Sequence, residues 1–193
     1  MSSEYPGILK TVFRYSANFI LGNLFYGLIG FIYALPFILL SYVISPEIAG
    51  YSILSFVVMT VLVFQYSMKQ YREESNKSNE MENEKKLNDD QIRAMILMQN
   101  SVNFISTTLL LAISSLCAYL LFGLGFEFWA VAFAIGFPII NDEILSNKRI
   151  SVDWIAVNST VSMYRIIQTF NGVNNNTDYE LIKEKLHQNG TKY

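Results

Sequence analysis

The sequence predicts an all-α integral membrane protein: four transmembrane helices arranged as two hairpins, with a polar cytoplasmic connector and a helical C-terminal tail. Three observations carry that prediction. Of 193 residues, 52% are hydrophobic and only 16% charged, against roughly 25% charged in an average globular chain. Charge is also segregated. None falls from Tyr15 to Pro46, from Ile48 to Met68 or from Ala94 to Phe126, and a helix needs about 20 apolar residues to cross a bilayer. The third observation is how the basic residues sort, which becomes clear once the elements are placed.

Residues 1–17 read as a short cytoplasmic leader. Pro6-Gly7 is expected to break any helix there, and Lys10 and Arg14 stand just ahead of the first span. Glu4 and the lack of a small-residue cleavage site argue against a cleaved signal peptide, so the first apolar block is expected to act as an uncleaved signal-anchor. Residues 18–68 make the first transmembrane hairpin. Its first span runs from about Asn18 to Val43, Ser45-Pro46-Glu47 forms the turn, and Gly50 opens a second span reaching Met68. A bridge that short makes the two helices antiparallel neighbours.

Residues 69–93 form a polar connector with six basic and seven acidic residues. From Ser75 to Leu87 it is too polar to bury a core, so disorder is expected there. Its mixed charge favours solubility over lipid headgroup binding. Asn88 then reads as an N-cap, with Gln91 as its capping-box partner and Asp89 and Asp90 at the positive end of the helix dipole. Ile92, Met95, Ile96 and Gln99 are expected along one side of this helix, which continues into a third span at about Val102 to Phe122. Residues 94–145 make the second hairpin, turning at Gly123-Leu124-Gly125. Its last segment is short, with fourteen uncharged residues between Glu127 and Asp142, a length that by itself fits a re-entrant segment.

The basic residues decide for a fourth span. With four spans all fourteen Lys and Arg fall on one side and the two turns carry only Glu47 and Glu127, the asymmetry that the positive-inside rule requires. With three, Lys148 and Arg149 would stand outside, beside the membrane. Both termini are therefore expected in the cytoplasm, and the membrane is expected to be the plasma membrane. Residues 146–193 form the cytoplasmic tail with two short helices. Trp154, Val157, Val161, Tyr164 and Ile167 make the apolar stripe of the first, Asn171-Gly172 stops it, and Thr177 and Glu180 make a capping box for the second.

Few side chains point to chemistry. Asn23, Gly27, Gly30, Ala34 and Ser41 recur at spacings of four, three, four and seven, one narrow small and polar face of the first span. Membrane helices associate through close backbone packing and polar contacts, so this face is read as a helix–helix contact with Asn23 bonding across it. The plainer account is that Gly is common in membrane helices. Ala130, Ala132, Ala134 and Gly136 offer a second such face, and Thr108, Ala112 and Ser115 a third. Pro36 and Pro138 fall inside spans, where each frees a carbonyl that is expected to find a neighbour. Asp142 and Glu143 are rim acids that could bind a cation, although solvated pairing near Lys148 and Arg149 explains them equally.

No Lys, Arg, His, Asp or Glu is expected at mid-membrane, which argues against ion-coupled carriers. The lone Cys117 excludes an internal disulfide and a cysteine metal cluster and reads as a small buried hydrophobe. His187, the only histidine, lies in the tail, so a HExxH site or a Ser-His-Asp triad near the membrane is not expected. No cofactor is implied, and a net charge of −2 gives no basic face for nucleic acid. The expected partners are the lipid bilayer and other membrane subunits, or a second copy of the chain. The leading expectation is a non-enzymatic accessory, scaffold or assembly subunit. Behind it stand a small channel or permease component, lined by Asn23, Thr60, Thr107, Thr108, Ser114 and Ser115, and a lipid-modifying enzyme using Asp142, Glu143 and Asp153.

Overall fold

A single non-helical residue, Ser45, separates the first two helices, α1 (Tyr5–Ile44) and α2 (Pro46–Lys77), in the computed structural model, which describes residues 5–77, 88–145, 151–172 and 178–190. The Ser45 N–H closes α1 by donating to the Ser41 carbonyl at 2.8 Å, and its own carbonyl accepts from Ala49 at 3.2 Å to start α2. Pro46 opens α2 where a missing N–H costs nothing, and the Ser45 hydroxyl donates to the Glu47 carboxylate. Two expectations change here. Pro6 and Gly7 lie inside α1 rather than ahead of it, because proline is tolerated in a first helical turn. And α2 runs on to Lys77, three residues into the stretch expected to be disordered; residues 78–87 lie outside the described residues.

The third helix, α3 (Asp89–Gly123), opens on the expected capping box: Asn88 Oδ1 accepts the Gln91 N–H at 2.8 Å, and Gln91 Oε1 accepts the Asn88 N–H at 2.9 Å. It ends at the expected turn. Gly125 takes φ +81°, a left-handed conformation that side chains disfavour, and its N–H donates to the Phe122 carbonyl at 2.9 Å. The chain reverses into α4 (Glu127–Ile140), which continues as a π-helical turn, Asn141–Leu145. Fourteen α-helical residues reach about 21 Å, and the π turn extends that.

Two tail helices follow, α5 (Val152–Phe170) and α6 (Tyr179–Gly190). Ser151 caps α5 by accepting the Trp154 N–H at 3.2 Å, and Asn171 and Gly172, at φ +62°, end it as expected. For α6 the cap is Asp178, which accepts the Leu181 N–H at 3.2 Å. The expected Thr177 box lies outside the described residues; Glu180 pairs with Arg165 of α5, whose guanidinium also lies over the Tyr179 ring.

All described elements are helical. By length and composition two of the helices could cross a membrane: α1, over Gly27–Ile44, and α3. α3 is the spine, touching α1, α2, α4, α5 and α6, and the core changes character along it. Near Asn88 it is built of large side chains: Met98 and Val102 pack with Val157, Val161, Ile182 and Leu186 of α5 and α6. Toward Gly123 it is built of small ones, with Ala34, Ser52, Ser55, Ser114, Ala118, Ala130 and Ala134 all fully buried. There the large apolar residues face outward, with Leu40 59%, Val43 82% and Leu120 63% exposed.

The two apolar stripes are buried only in part. Along α3, Ile92 and Ile96 are exposed while Gln91 and Met98 are buried, because α5 and α6 cover the neighbouring face. On α5 the buried set is Val152, Ala156, Val157, Thr160 and Val161. Of the expected stripe, Val157 and Val161 belong to that set and Tyr164 packs against it, while Trp154 and Ile167 are partly exposed, the Trp154 ring stacking on His187 at 6.5 Å between centroids.

Candidate functional site

The small-residue face of α1 turns toward α2 and α3. A Cβ built on Gly27 would lie 3.4 Å from Thr60 Cγ2, and one on Gly30 would lie 3.4 Å from Phe56 Cε2. Ala34 is fully buried with Phe56 and Leu111. Ser41 is buried too, but its hydroxyl donates back to the Phe37 carbonyl at 2.7 Å. The side chain of Asn23 lies outside the described residues. On α4, Ala130 and Ala134 are buried against Ala118, whereas Gly136 has open space around its Cα. Cys117 is half-buried.

A hydroxyl cluster forms where α2, α3 and α4 meet. Pro138 has no N–H, so the carbonyl four residues back, on Ala134, loses its helical donor. Ser55 Oγ donates to that carbonyl at 2.8 Å, and Ser114 Oγ stands 2.7 Å from Ser55 Oγ and 3.3 Å from the same carbonyl. Each hydroxyl has one proton, so the self-consistent pattern has Ser114 donating to Ser55 and Ser55 donating to Ala134. The freed carbonyl has found neighbours on two other helices. Pro138 thus acts as a connector between helices, and Ser114 belongs to that junction rather than to a polar path. Ser115 bonds back to the Leu111 carbonyl.

One turn of helix beyond the junction lies a cavity of about 270 Å³, mostly apolar in lining area but with several polar side chains, bounded by all of α1 to α5 and the π turn. That is far more than the roughly 10–15 Å³ one water needs. Its polar lining comes from Tyr33, Thr60, Gln99, Asn103, Ser106, Thr107, Asn141, Asp142 and Asp153. Tyr33 donates to Asn100 Oδ1 at 2.9 Å, an exposed bond that places the α1–α3 edge of the cavity at the surface. Asn141 Oδ1 accepts the Val152 N–H at 3.0 Å, tying the π turn to the start of α5. π turns occur often at functional sites. This one puts Asp142 on the cavity, while Glu143 is exposed. Of the two rim acids, then, only Asp142 lines the cavity; its second acid is Asp153, held by a hydrogen bond from Ser106.

The Asp142 carboxyl lies near enough to those of Glu143 and Asp153 to be repelled by both. Burial pushes the Asp153 carboxyl above the usual carboxylate range, and the Ser106 hydrogen bond opposes that shift. The folded chain therefore holds this proton more tightly than the unfolded chain. Its contribution to stability is most favourable near and below pH 4 and declines as pH rises through the raised value. Asp153→Asn is expected to remove that decline: unfolding midpoints measured from pH 4 to 8 should fall more steeply for the parent than for the variant. Parallel curves would mean that Asp153 does not titrate in this range.

Of the residues expected to form a polar path, Thr60 and Thr107 reach the cavity, and the hydroxyl of Thr108 is buried with no hydrogen-bond partner. Ser55, Tyr33, Gln99 and Asn103 escape sequence reading, since nothing about an isolated Ser, Tyr or amide in an apolar block marks it. One signal was present for Ser55: Pro138 orphans a carbonyl, and a neighbouring helix must supply a donor.

Compared with known proteins, the chain matches no family profile, no curated protein sequence and no solved structure.

Proposed function

We propose that this is a non-enzymatic polytopic membrane protein that crosses the bilayer four times, with both termini in the cytoplasm, and serves as an accessory or assembly subunit of a plasma-membrane complex. The change of core along α3 supports the membrane part. Helices in lipid gain nothing by burying large apolar side chains and pack through small ones, as the Ala and Ser interior of α1–α4 does. Exposed leucines and isoleucines in such number would be an aggregation liability in water. The α5–α6 unit packs large aliphatics in the manner of an aqueous domain.

The observation that carries the assembly part is the outer face of α5. Ile155, Met163, Ile166 and Phe170 recur at spacings of eight, three and four, and all are exposed, Phe170 by 87%. An apolar face on an aqueous unit marks an interaction site. The partner is another subunit of the same membrane complex. In mild detergent the parent is expected to purify with a stoichiometric second polypeptide, and Ile166→Glu with Phe170→Glu to lose it while eluting as a folded monomer. Retention of the same complex by the double variant would end this reading.

Topology has its own test. In a Cys117→Ala background, cysteines at Glu47 and Leu124 are expected to react with an impermeant thiol reagent on intact cells, and one at Ser78 only after permeabilisation. Labelling of position 78 on intact cells would remove the four-span arrangement. A second reading, a small permease component, draws on one observation: Thr60 and Thr107 line one cavity together with seven other polar residues. Solute flux in proteoliposomes distinguishes the two.

A further inference from the structure

The exposed apolar belts of α1 and α4 differ in height. On α4 the exposed carboxylates Glu127 and Glu143 bracket an outward face of Val131, Ile135, Ile139 and Ile140. Sixteen residues separate those two acids, about 24 Å of helix. Just inside Glu127 the Phe128 and Trp129 rings meet edge to face at 5.6 Å, both exposed, the placement that aromatic side chains take at a membrane–water interface. On α1, exposed apolar side chains run from Ile20 through Leu24, Leu28, Ile32 and Val43 to Ile44, about 36 Å. A hydrocarbon core is about 30 Å thick, so α1 exceeds it and α4 falls about 6 Å short.

The shortfall lies at the cytoplasmic end. The outer ends are level, because Tyr51 stands within electrostatic reach of both Glu47, at the start of α2, and Glu127, with its ring 6.4 Å from that of Phe122. At the other end Asn141 and Asp142 share the cavity with Ile29 of α1. From Ile29 the exposed apolar face of α1 continues nine residues to Ile20, about 14 Å beyond the level at which α4 turns polar. α2 and α3 stand between the two helices, so the tall and short belts face different lipid.

We propose that the α4 face binds a locally thinned bilayer, collecting phospholipids with short acyl chains beside Glu143, while α1 meets a bilayer of full thickness. A charged side chain is costly in hydrocarbon, and a short span is accommodated when the bilayer thins to meet it. Tilting α4 would only shorten its reach. Lipid suits this face better than a closely packed partner helix: Ala130 and Ala134 are buried against Ala118, and the exposed side chains are large. The inference rests on the four-span reading but not on the partner at α5.

The test is the depth of spin labels on the full chain, in a Cys117→Ala background, in dioleoylphosphatidylcholine nanodiscs. Ile32→Cys on α1 and Ile139→Cys on α4 each lie twelve residues in from the outer end of their helix, so a flat bilayer gives both labels one depth. The expected result is a label at position 139 about 6 Å nearer the headgroups than one at 32, read from oxygen against nickel-chelate accessibility. The difference should shrink in thinner dimyristoylphosphatidylcholine, and Glu143→Leu, which removes the exposed charge, should shrink it in the dioleoyl discs. Equal depths in dioleoyl discs, a label at 139 shielded from both reagents by a partner, or a difference that neither change alters would overturn the proposal. The four-span reading has its own readout, a cysteine at Glu143 on intact cells. Reaction there with an impermeant thiol reagent would overturn that reading and this inference together. Protection there, with equal label depths, would overturn this inference alone.

Discussion

Replacing Ser55 and Ser114 together with alanine is expected to destabilise the fold by about 1–3 kcal/mol, the usual penalty for leaving a buried acceptor unsatisfied. The acceptor is the Ala134 carbonyl, which Pro138 deprives of its helical donor. Either single variant should cost less. Without Ser55, Ser114 already stands 3.3 Å from the same oxygen; without Ser114, Ser55 keeps its 2.8 Å bond. The diagnostic step is a third change. Pro138→Ala returns an N–H at the position that ordinarily donates to residue 134, so in the double-alanine background it should restore part of the lost stability. In the parent, where the hydroxyls already satisfy the carbonyl, its benefit should be smaller. Unfolding in mild detergent gives the four stabilities, and the interaction term should favour proline only when the serines are present. Strict additivity would mean the serines merely fill space.

That junction also marks how far the sequence could be read. Helix ends were legible because local chemistry sets them. Asn88 with Gln91, the Gly123-Leu124-Gly125 turn and Asn171-Gly172 all act over a few residues, and each ends or starts a helix where its own hydrogen bonds require. The buried faces of α3 and α5 were not legible in the same way. Both helices carry apolar residues around more than half their circumference, so periodicity alone cannot choose between Ile92–Ile96 and Met98–Val102, or between Trp154–Ile167 and Ala156–Thr160. The choice comes from which helix packs alongside. The cavity was the least legible feature. Asp153 meets Ser106 across 47 positions and Tyr33 meets Asn100 across 67, and separations that long are set by the assembled bundle. Asp142 is legible as a rim acid from sequence alone, whereas nothing local to Asp153 marks it as lining the same cavity.

Leucine at both Gly27 and Gly30 is expected to do the most damage of any change on α1. The distances say why. A methyl on either glycine would already stand in van der Waals contact at 3.4 Å, with Thr60 Cγ2 and Phe56 Cε2 respectively, so three further carbons must either push α1 and α2 apart or turn aside into the open spaces that Gly27 and Gly30 line. Phe56 cannot easily yield, being packed with Ala34, Ile38 and Leu111 and set edge-on to Phe31 at 6.1 Å. Overpacking costs about 1–3 kcal/mol per site, so the pair should lose about 3 kcal/mol or more and shift from a sharp monodisperse peak toward aggregate. Alanine is the graded comparison. Its methyl fits at contact distance and relieves the glycine helix penalty of about 1 kcal/mol per residue, so Gly27→Ala with Gly30→Ala should be neutral or stabilising. Leu28→Ile with Ile32→Leu, at positions 67% and 69% exposed, should change little. If the leucine pair melts with the parent, α1 and α2 do not meet along this face. If the alanine pair is as damaging as leucine, the fault lies in backbone conformation rather than in the space between the helices.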